Sequence, residues 1–157
     1  MSLQRTPSQT VGPYYSIGLC RRVENELVPR DDPRALRLAG RLLDGDGKPI
    51  GDGMVEVWDP VARLWGRSGT DPDGRFSFIV PRPAEDAVAP HLEAFVFARG
   101  LLRHQLTRIY FPGHDADETL AALVPEARTV LVAEEDGDGL RFDIRMQGDR
   151  QTVFFEH

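Results

Sequence analysis

The residues best suited to chemistry fall in two places. The stretch TPSQTVGPYYSIG (6–18) crowds Thr10, Gly12, Pro13, Tyr14 and Tyr15 into an irregular run. Pro13 fixes its own φ, Gly12 lets backbone approach a flat ring closely, and a tyrosine offers a ring edge and one hydroxyl. Such a segment either presents a backbone and a phenol to a ligand or is a docked arm whose rings simply pack. The second place is HLEAFVFAR (91–99). His91 and Glu93 are two apart on a predicted strand, so both point to one face. With a third ligand they would make a two-histidine-one-carboxylate type of iron site. The plainer reading is a hydrogen-bonded pair on a half-buried strand. Arg99 ends this run just before Gly100, where strand gives way to loop and where binding residues concentrate.

Other motifs carry less. Glu134, Asp136, Asp138 and Gly139 fit part of a calcium loop, but Arg145 stands at the twelfth position, where a bidentate glutamate is required. No helices are predicted to flank it, so it reads as a hairpin turn, and DGDGK (44–48) reads the same way. The four histidines are His91, His104, His114 and His157, none in a helical H-x-x-x-H. No nucleophile elbow, Walker loop or dinucleotide fingerprint is present. Cys20 is the one cysteine, which excludes an internal disulfide and any multi-cysteine metal site.

These residues need elements to hold them. Residues 1–35 contain Pro7, Gly12, Pro13, Pro29 and Pro33 and no sustained helical period, so they form an arm that drapes over its own domain or reaches a neighbour. From residue 36 the pattern changes to strands and turns. LRLAGRLLD (36–44) is followed by a run dense in turn residues (44–53) that suits a hairpin loop. MVEVWD (54–59) alternates, with Val55, Val57 and Asp59 on one side. In 70–80 a turn leads into a strand with Phe76 and Phe78 on one face. HLEAFVFAR reads as a central strand, then QLTRIYF (105–111), TVLVAEE (129–135), LRFDIRMQ (140–147) and TVFF (152–155). One helix is predicted over 115–124, where Asp115 and Glu118 resemble a capping box and Pro125 stops the run. Many short strands at 8–15-residue spacing predict a single all-β domain, a β-sandwich over 36–157 with the arm 1–35.

Composition narrows the function. The chain has 157 residues, 41% hydrophobic and 28% charged, and its net charge is −6, which argues against a general nucleic-acid binder. No apolar run approaches the ~20 residues needed to span a bilayer. MSLQRTPSQT offers nothing like the apolar core of a signal peptide, so a cytoplasmic protein with no membrane partner is expected. Lys48 is the only lysine against 18 arginines; the plain reading is genomic codon bias, and the sharper one is that a few arginines serve as carboxylate forks.

TPSQTVGPYYSIGL (6–19), GRLLDGDGKPI (40–50), VEVWDP (55–60), DGRFSF (73–78), APHLEAFVFARGLL (89–102), TRIYFP (107–112) and RFDIRMQGDRQTVFFE (141–156) run in order over nearly the whole chain. Together they resemble the intradiol ring-cleavage dioxygenase family, in its branch built from paired α and β chains. The resemblance implies the family's β-sandwich. It implies Fe(III) held by two tyrosines and two histidines, and cleavage of a catechol between its hydroxyls with O2. With protocatechuate the product is 3-carboxy-cis,cis-muconate.

The resemblance is to the α role. Where catalytic chains carry His-x-His, this sequence has His91, Leu92, Glu93. DPVARLWGRSG after Trp58 and PRPAEDAVAP before His91 lack the two iron tyrosines. The resemblance therefore implies a chain that holds no metal and has no catalytic residue of its own. Its partner, an iron-bearing β chain, would hold the Fe(III). This chain would complete the pocket for a small aromatic acid through Thr10, Gly12, Pro13, Tyr14 and Arg99, which match the α positions turned toward that site. Two rivals stand beside it: a self-sufficient metal dioxygenase using His91 and Glu93, and a transthyretin-like binding module without chemistry. Residues 59–72 and 80–90 are short for the family.

Overall fold

Alternation of side chains decides where the core lies, because a strand with one apolar face can bury only that face. The computed structural model describes residues 5–20 and 24–156; arm residues 1–4 and 21–23 and the chain-end His157 lie outside the described residues. In chain order the elements are α1 (Tyr14–Leu19), β1 (Ala35–Leu43), β2 (Met54–Asp59), β3 (Leu64–Gly69), β4 (Arg75–Pro81), β5 (His91–Phe97), β6 (Gln105–Tyr110), α2 (Glu118–Ala121), α3 (Pro125–Thr129), β7 (Glu134–Asp136), β8 (Gly139–Arg141) and β9 (Ile144–Arg145).

They form two sheets. One runs β4-β1-β8-β7, with β9 also pairing β1; the other runs β3-β2-β5-β6. β1 meets β4 antiparallel and meets β8 and β9 parallel. Leu38, Leu42, Phe76, Phe78 and Val80 from the first sheet face Val55, Val57, Leu92, Ala94, Val96 and Ile109 from the second. All are almost fully buried, and each Val, Leu, Ile and Phe among them contributes roughly 1.5–3 kcal/mol by leaving water. The expected faces are found: Val55, Val57 and Asp59 point inward, and the Phe76 and Phe78 rings pack 6.1 Å apart. β5 is central, between β2 and β6.

Several local expectations change. The run 44–53 is not a plain hairpin loop. It turns back on itself at the Leu43–Pro49 bridge and then crosses to the other sheet. Asp44 Oδ1 accepts from the Asp46 and Lys48 amides, which makes this aspartate a turn residue. β3 was not expected. It follows a turn in which Asp59 Oδ1 accepts from the Val61 and Ala62 amides at 2.9 and 2.8 Å. The expected helix over 115–124 shrinks to α2, capped by Asp117 rather than Asp115. Pro125 does not close that helix but opens α3, since a helix tolerates proline in its first turn. α3 takes up Thr129, so the strand expected over 129–135 begins only at Glu134. The DGDG turn does close a hairpin, between β7 and β8.

The arm drapes over its own sandwich. Residues 5–12 are extended or irregular and lead into α1, a third helical segment where one helix was expected. Farther on, the arm is stitched to both sheets. Glu24 bridges Arg67, Glu26 bridges Ile79, and Leu27 enters the core. An arginine fork of the sharper reading is found here: Arg67 grips Glu56 through Nε and Nη2 and Glu24 through Nη1. Among the described residues no helix is long and apolar enough to cross a membrane.

Candidate functional site

The arm is fixed to the end of β5 at two points. The Gly100 amide donates to Thr10 Oγ1 at 2.7 Å. Five residues on, the Tyr15 hydroxyl donates to the Asp52 carbonyl and also lies 3.2 Å from the Phe97 carbonyl. Gly100 can offer its amide outward because its φ is 92°, left-handed backbone that suits glycine. Between the two anchors the chain bulges into solvent. Gly12, Pro13 and Tyr14 are all exposed, Tyr14 to 80%. A side chain at Gly12 would meet nothing within 4 Å, and Pro13 at φ −66° leads into α1.

Arg99 lies just past the end of β5, and its Nε is paired with the Asp52 carboxylate. Asp52 therefore serves two partners, its carbonyl meeting Tyr15 and its side chain meeting Arg99. The Tyr15 phenol is pushed up to about 12, first by burial, then by the negative charges of Asp52 and Cys20, with Arg99 pulling the other way. At neutral pH it is a donor.

Of the residues singled out in the sequence, Thr10 and Arg99 are thus brought side by side, with Gly12, Pro13 and Tyr14 as the exposed tip beside them. Arg99 can also be read from the sequence as a surface arginine paired with a nearby acid such as Glu93. The surface pair is found, but its acid is Asp52, because β5 ends at Phe97 and the turn carries Arg99 toward the crossover after β1. Asp52 and the anchoring role of Tyr15 escaped sequence reasoning. The signal, if any, was an acid between two glycines, Gly51 and Gly53, in a run that otherwise reads as a turn. Two clefts flank the bulge. One of about 880 Å³ is lined by Ser16, Ile17, Cys20 and Asp52 of this region. The other, about 710 Å³, is lined by Val11, Phe97, Leu101 and His104.

His91 and Glu93 do share a face of β5. Opposite them on β6 stand Tyr110 and Arg108. His91 Nδ1 is 3.0 Å from the Ala89 carbonyl, and its ring packs on Tyr110 at 5.1 Å. The Tyr110 hydroxyl donates to Asp117 at 3.1 Å, and burial pushes its phenol up. This donor set does not fit Fe(III). β5 places a single imidazole on this face, its one carboxylate stands opposite an arginine, and the nearby phenol is committed to Asp117 and held protonated. Among the described residues no group of three or more His, Cys, Asp or Glu could hold a metal ion.

Two facing sheets, an arm pinned to the end of the central strand and a short helix beside it define a β-sandwich of the intradiol dioxygenase type. The fold is shared with the dioxygenase domain of a dioxygenase carbohydrate-binding fusion protein from Streptomyces sp. SirexAA-E, at TM-score 0.60 and 20% identity over 91% of this chain and 99% of that one. It is shared too with catechol 1,2-dioxygenase from Pseudomonas arvilla C-1, at TM-score 0.56 and 22% identity over 78% of this chain and 55% of that one. No family model matches the chain. In sequence it is 34% identical to the protocatechuate 3,4-dioxygenase alpha chain of Burkholderia cepacia, over 99% of this chain and 98% of that one. It is 32% identical to the alpha chain of Pseudomonas putida over 98% and 97%. The chain belongs to the family of protocatechuate 3,4-dioxygenase alpha chains. The beta chain of Burkholderia cepacia is a more distant relative, 29% identical over 80% of this chain and 70% of that one. The alignment with the first alpha chain runs over 194 positions against 157 residues here, so that relative carries segments this chain lacks.

Proposed function

We propose that this chain is the non-iron-binding α subunit of a protocatechuate 3,4-dioxygenase. It pairs with an iron-bearing β chain and completes the pocket in which protocatechuate is cleaved by O2 to 3-carboxy-cis,cis-muconate. The observation that carries the proposal is the end-to-end likeness to two alpha chains. The site geometry supports it: Gly12, Pro13 and Tyr14 form an exposed tip beside Thr10 and Arg99, at one end of the sandwich. In this reading the tip forms one wall of the partner's pocket, and the Arg99 guanidinium attracts the ring carboxylate of the substrate. In this reading the Fe(III) is held by the β chain, and the poor fit of the donors here supports that. The lone free cysteine, Cys20, agrees with a cytoplasmic setting.

The test is co-expression with a β chain of this family. O2 uptake with protocatechuate is measured for each chain alone and for the purified complex. Activity is expected only when both chains are present. A complex that fails to form, or uptake by this chain alone, would overturn the proposal.

A further inference from the structure

We propose that Tyr15 and Asp52 are positioning residues, locking the arm and Arg99 into one unit so that the exposed tip and the guanidinium reach the partner's pocket together. The inference rests on the reading above and deepens it.

The argument starts from how the tip is held. Thr10 alone would hold it by one exposed hydrogen bond to Gly100, which water competes for. The Tyr15 anchor is part-buried and leaves only four residues between itself and Thr10, which allows Gly12, Pro13 and Tyr14 few conformations. Tyr15 reaches two carbonyls, one at the end of β5 and one on the crossover, so it also ties those segments together. Asp52 completes the link because its side chain holds Arg99. Its own support is firm. Thr70 Oγ1 accepts from the Gly53 amide at 2.8 Å and donates to the Ile50 carbonyl at 2.7 Å, while the Thr70 amide donates to the Gly53 carbonyl at 3.0 Å. Thus Asp52 is placed by β3's end, Tyr15 by Asp52, and the tip by Tyr15. A residue acting through two others in this way fixes where binding groups stand without touching the substrate. The raised phenol keeps Tyr15 a donor across the working pH range.

The test uses the complex with a β chain, assayed with protocatechuate and with catechol, which lacks the carboxylate. Tyr15→Phe keeps the ring and removes the donor. It should raise the protocatechuate KM roughly 3- to 10-fold with kcat within about twofold, and its effect should be non-additive with that of Thr10→Ala. Asp52→Asn keeps the carbonyl anchor but removes the charge that holds Arg99. It should lower kcat/KM for protocatechuate roughly 3- to 10-fold and for catechol less than about twofold, with Asp52→Glu restoring part of the loss. In the purified chain, Tyr15→Phe should speed hydrogen exchange at the Gly100 amide about tenfold, a measurement that needs no partner. Kinetics unchanged in both variants while Arg99→Ala is impaired would overturn the latch and leave the proposed function standing. Kinetics unchanged in Thr10→Ala and Arg99→Ala as well would overturn both.

Discussion

The Arg99 guanidinium lies against the Asp52 carboxylate, joining the turn after the central strand to the crossover between the sheets. Both side chains are substantially exposed, 59% and 38%, and an ion pair in that setting is worth only about 0–1 kcal/mol. The contact is made through Nε, so the Nη groups of the same guanidinium can meet a substrate carboxylate while Asp52 keeps Arg99 oriented. Arg99→Ala in the α/β complex should lower kcat/KM for protocatechuate roughly 10- to 100-fold, about 1.4–2.7 kcal/mol, and for catechol much less. Equal losses for both substrates would mean that Arg99 acts on the reaction's charge or on folding rather than on selection.

Removing residues 1–15 takes away the tip and both of its anchors, Thr10 and Tyr15. The sandwich itself holds its core through Leu27 and the strands beyond. The truncated chain should keep its melting temperature within a few degrees, while the complex shows a raised KM or no turnover. Unchanged kinetics in the truncated complex would remove the arm from the pocket.

The isolated chain should bind no Fe(III) and lack the visible phenolate-to-iron band. His91 is a lone imidazole on its strand face, Glu93 stands opposite Arg108, and Tyr110 is committed to Asp117. Metal analysis and an absorption spectrum of the purified chain check this. One iron per chain, with colour, would reverse the assignment of roles.

What could be read from the sequence was set by period and by length. β2 was legible because Val55 and Val57 alternate with Glu56 and Trp58, and only one face enters the core. β3 was not, because LWGRSG has no alternation. Gly66 sits where Leu27 and the Glu24 carbonyl press in, so the strand is shaped by the arm rather than by its own pattern. α1 is six residues, too short for a helical period to register. At the site, Thr10, Gly12, Pro13, Tyr14 and Arg99 came from the resemblance. Asp52 did not, since no local pattern links it to Tyr15, 37 positions earlier, or to Arg99 in another strand's turn.

Gly40 shows how tightly the first sheet closes. A Cβ there would run into the Phe142 carbonyl and meet the Phe76 ring. Phe142 donates its amide to Ala39 at 2.8 Å, so the clash falls on the connection between β1 and the C-terminal strands. Gly40→Ala should cost about 2–4 kcal/mol through strain and lost pairing, read as a lower urea midpoint. A change under about 0.5 kcal/mol would mean that the two strands separate freely.

Alkaline pH should weaken the arm's anchor through Tyr15. In the folded chain this phenol keeps its proton up to about 12. In the unfolded chain it loses the proton near the ordinary value of about 10. Between those values the unfolded state binds fewer protons than the folded one, so raising the pH favours unfolding. The contribution is whole below pH 10 and is lost as the pH climbs toward 12. Two full units would be ~2.7 kcal/mol, but Tyr15 is part-exposed, and solvent screening reduces this to about 1 kcal/mol. Urea midpoints at pH 9 and pH 11.5 should fall farther for the native chain than for Tyr15→Phe, which has no proton to lose at that position. Tyr110, also raised by burial, titrates in both proteins and cancels in the comparison. Equal falls in the two chains would show that the Tyr15 phenol is not raised by its place in the folded chain.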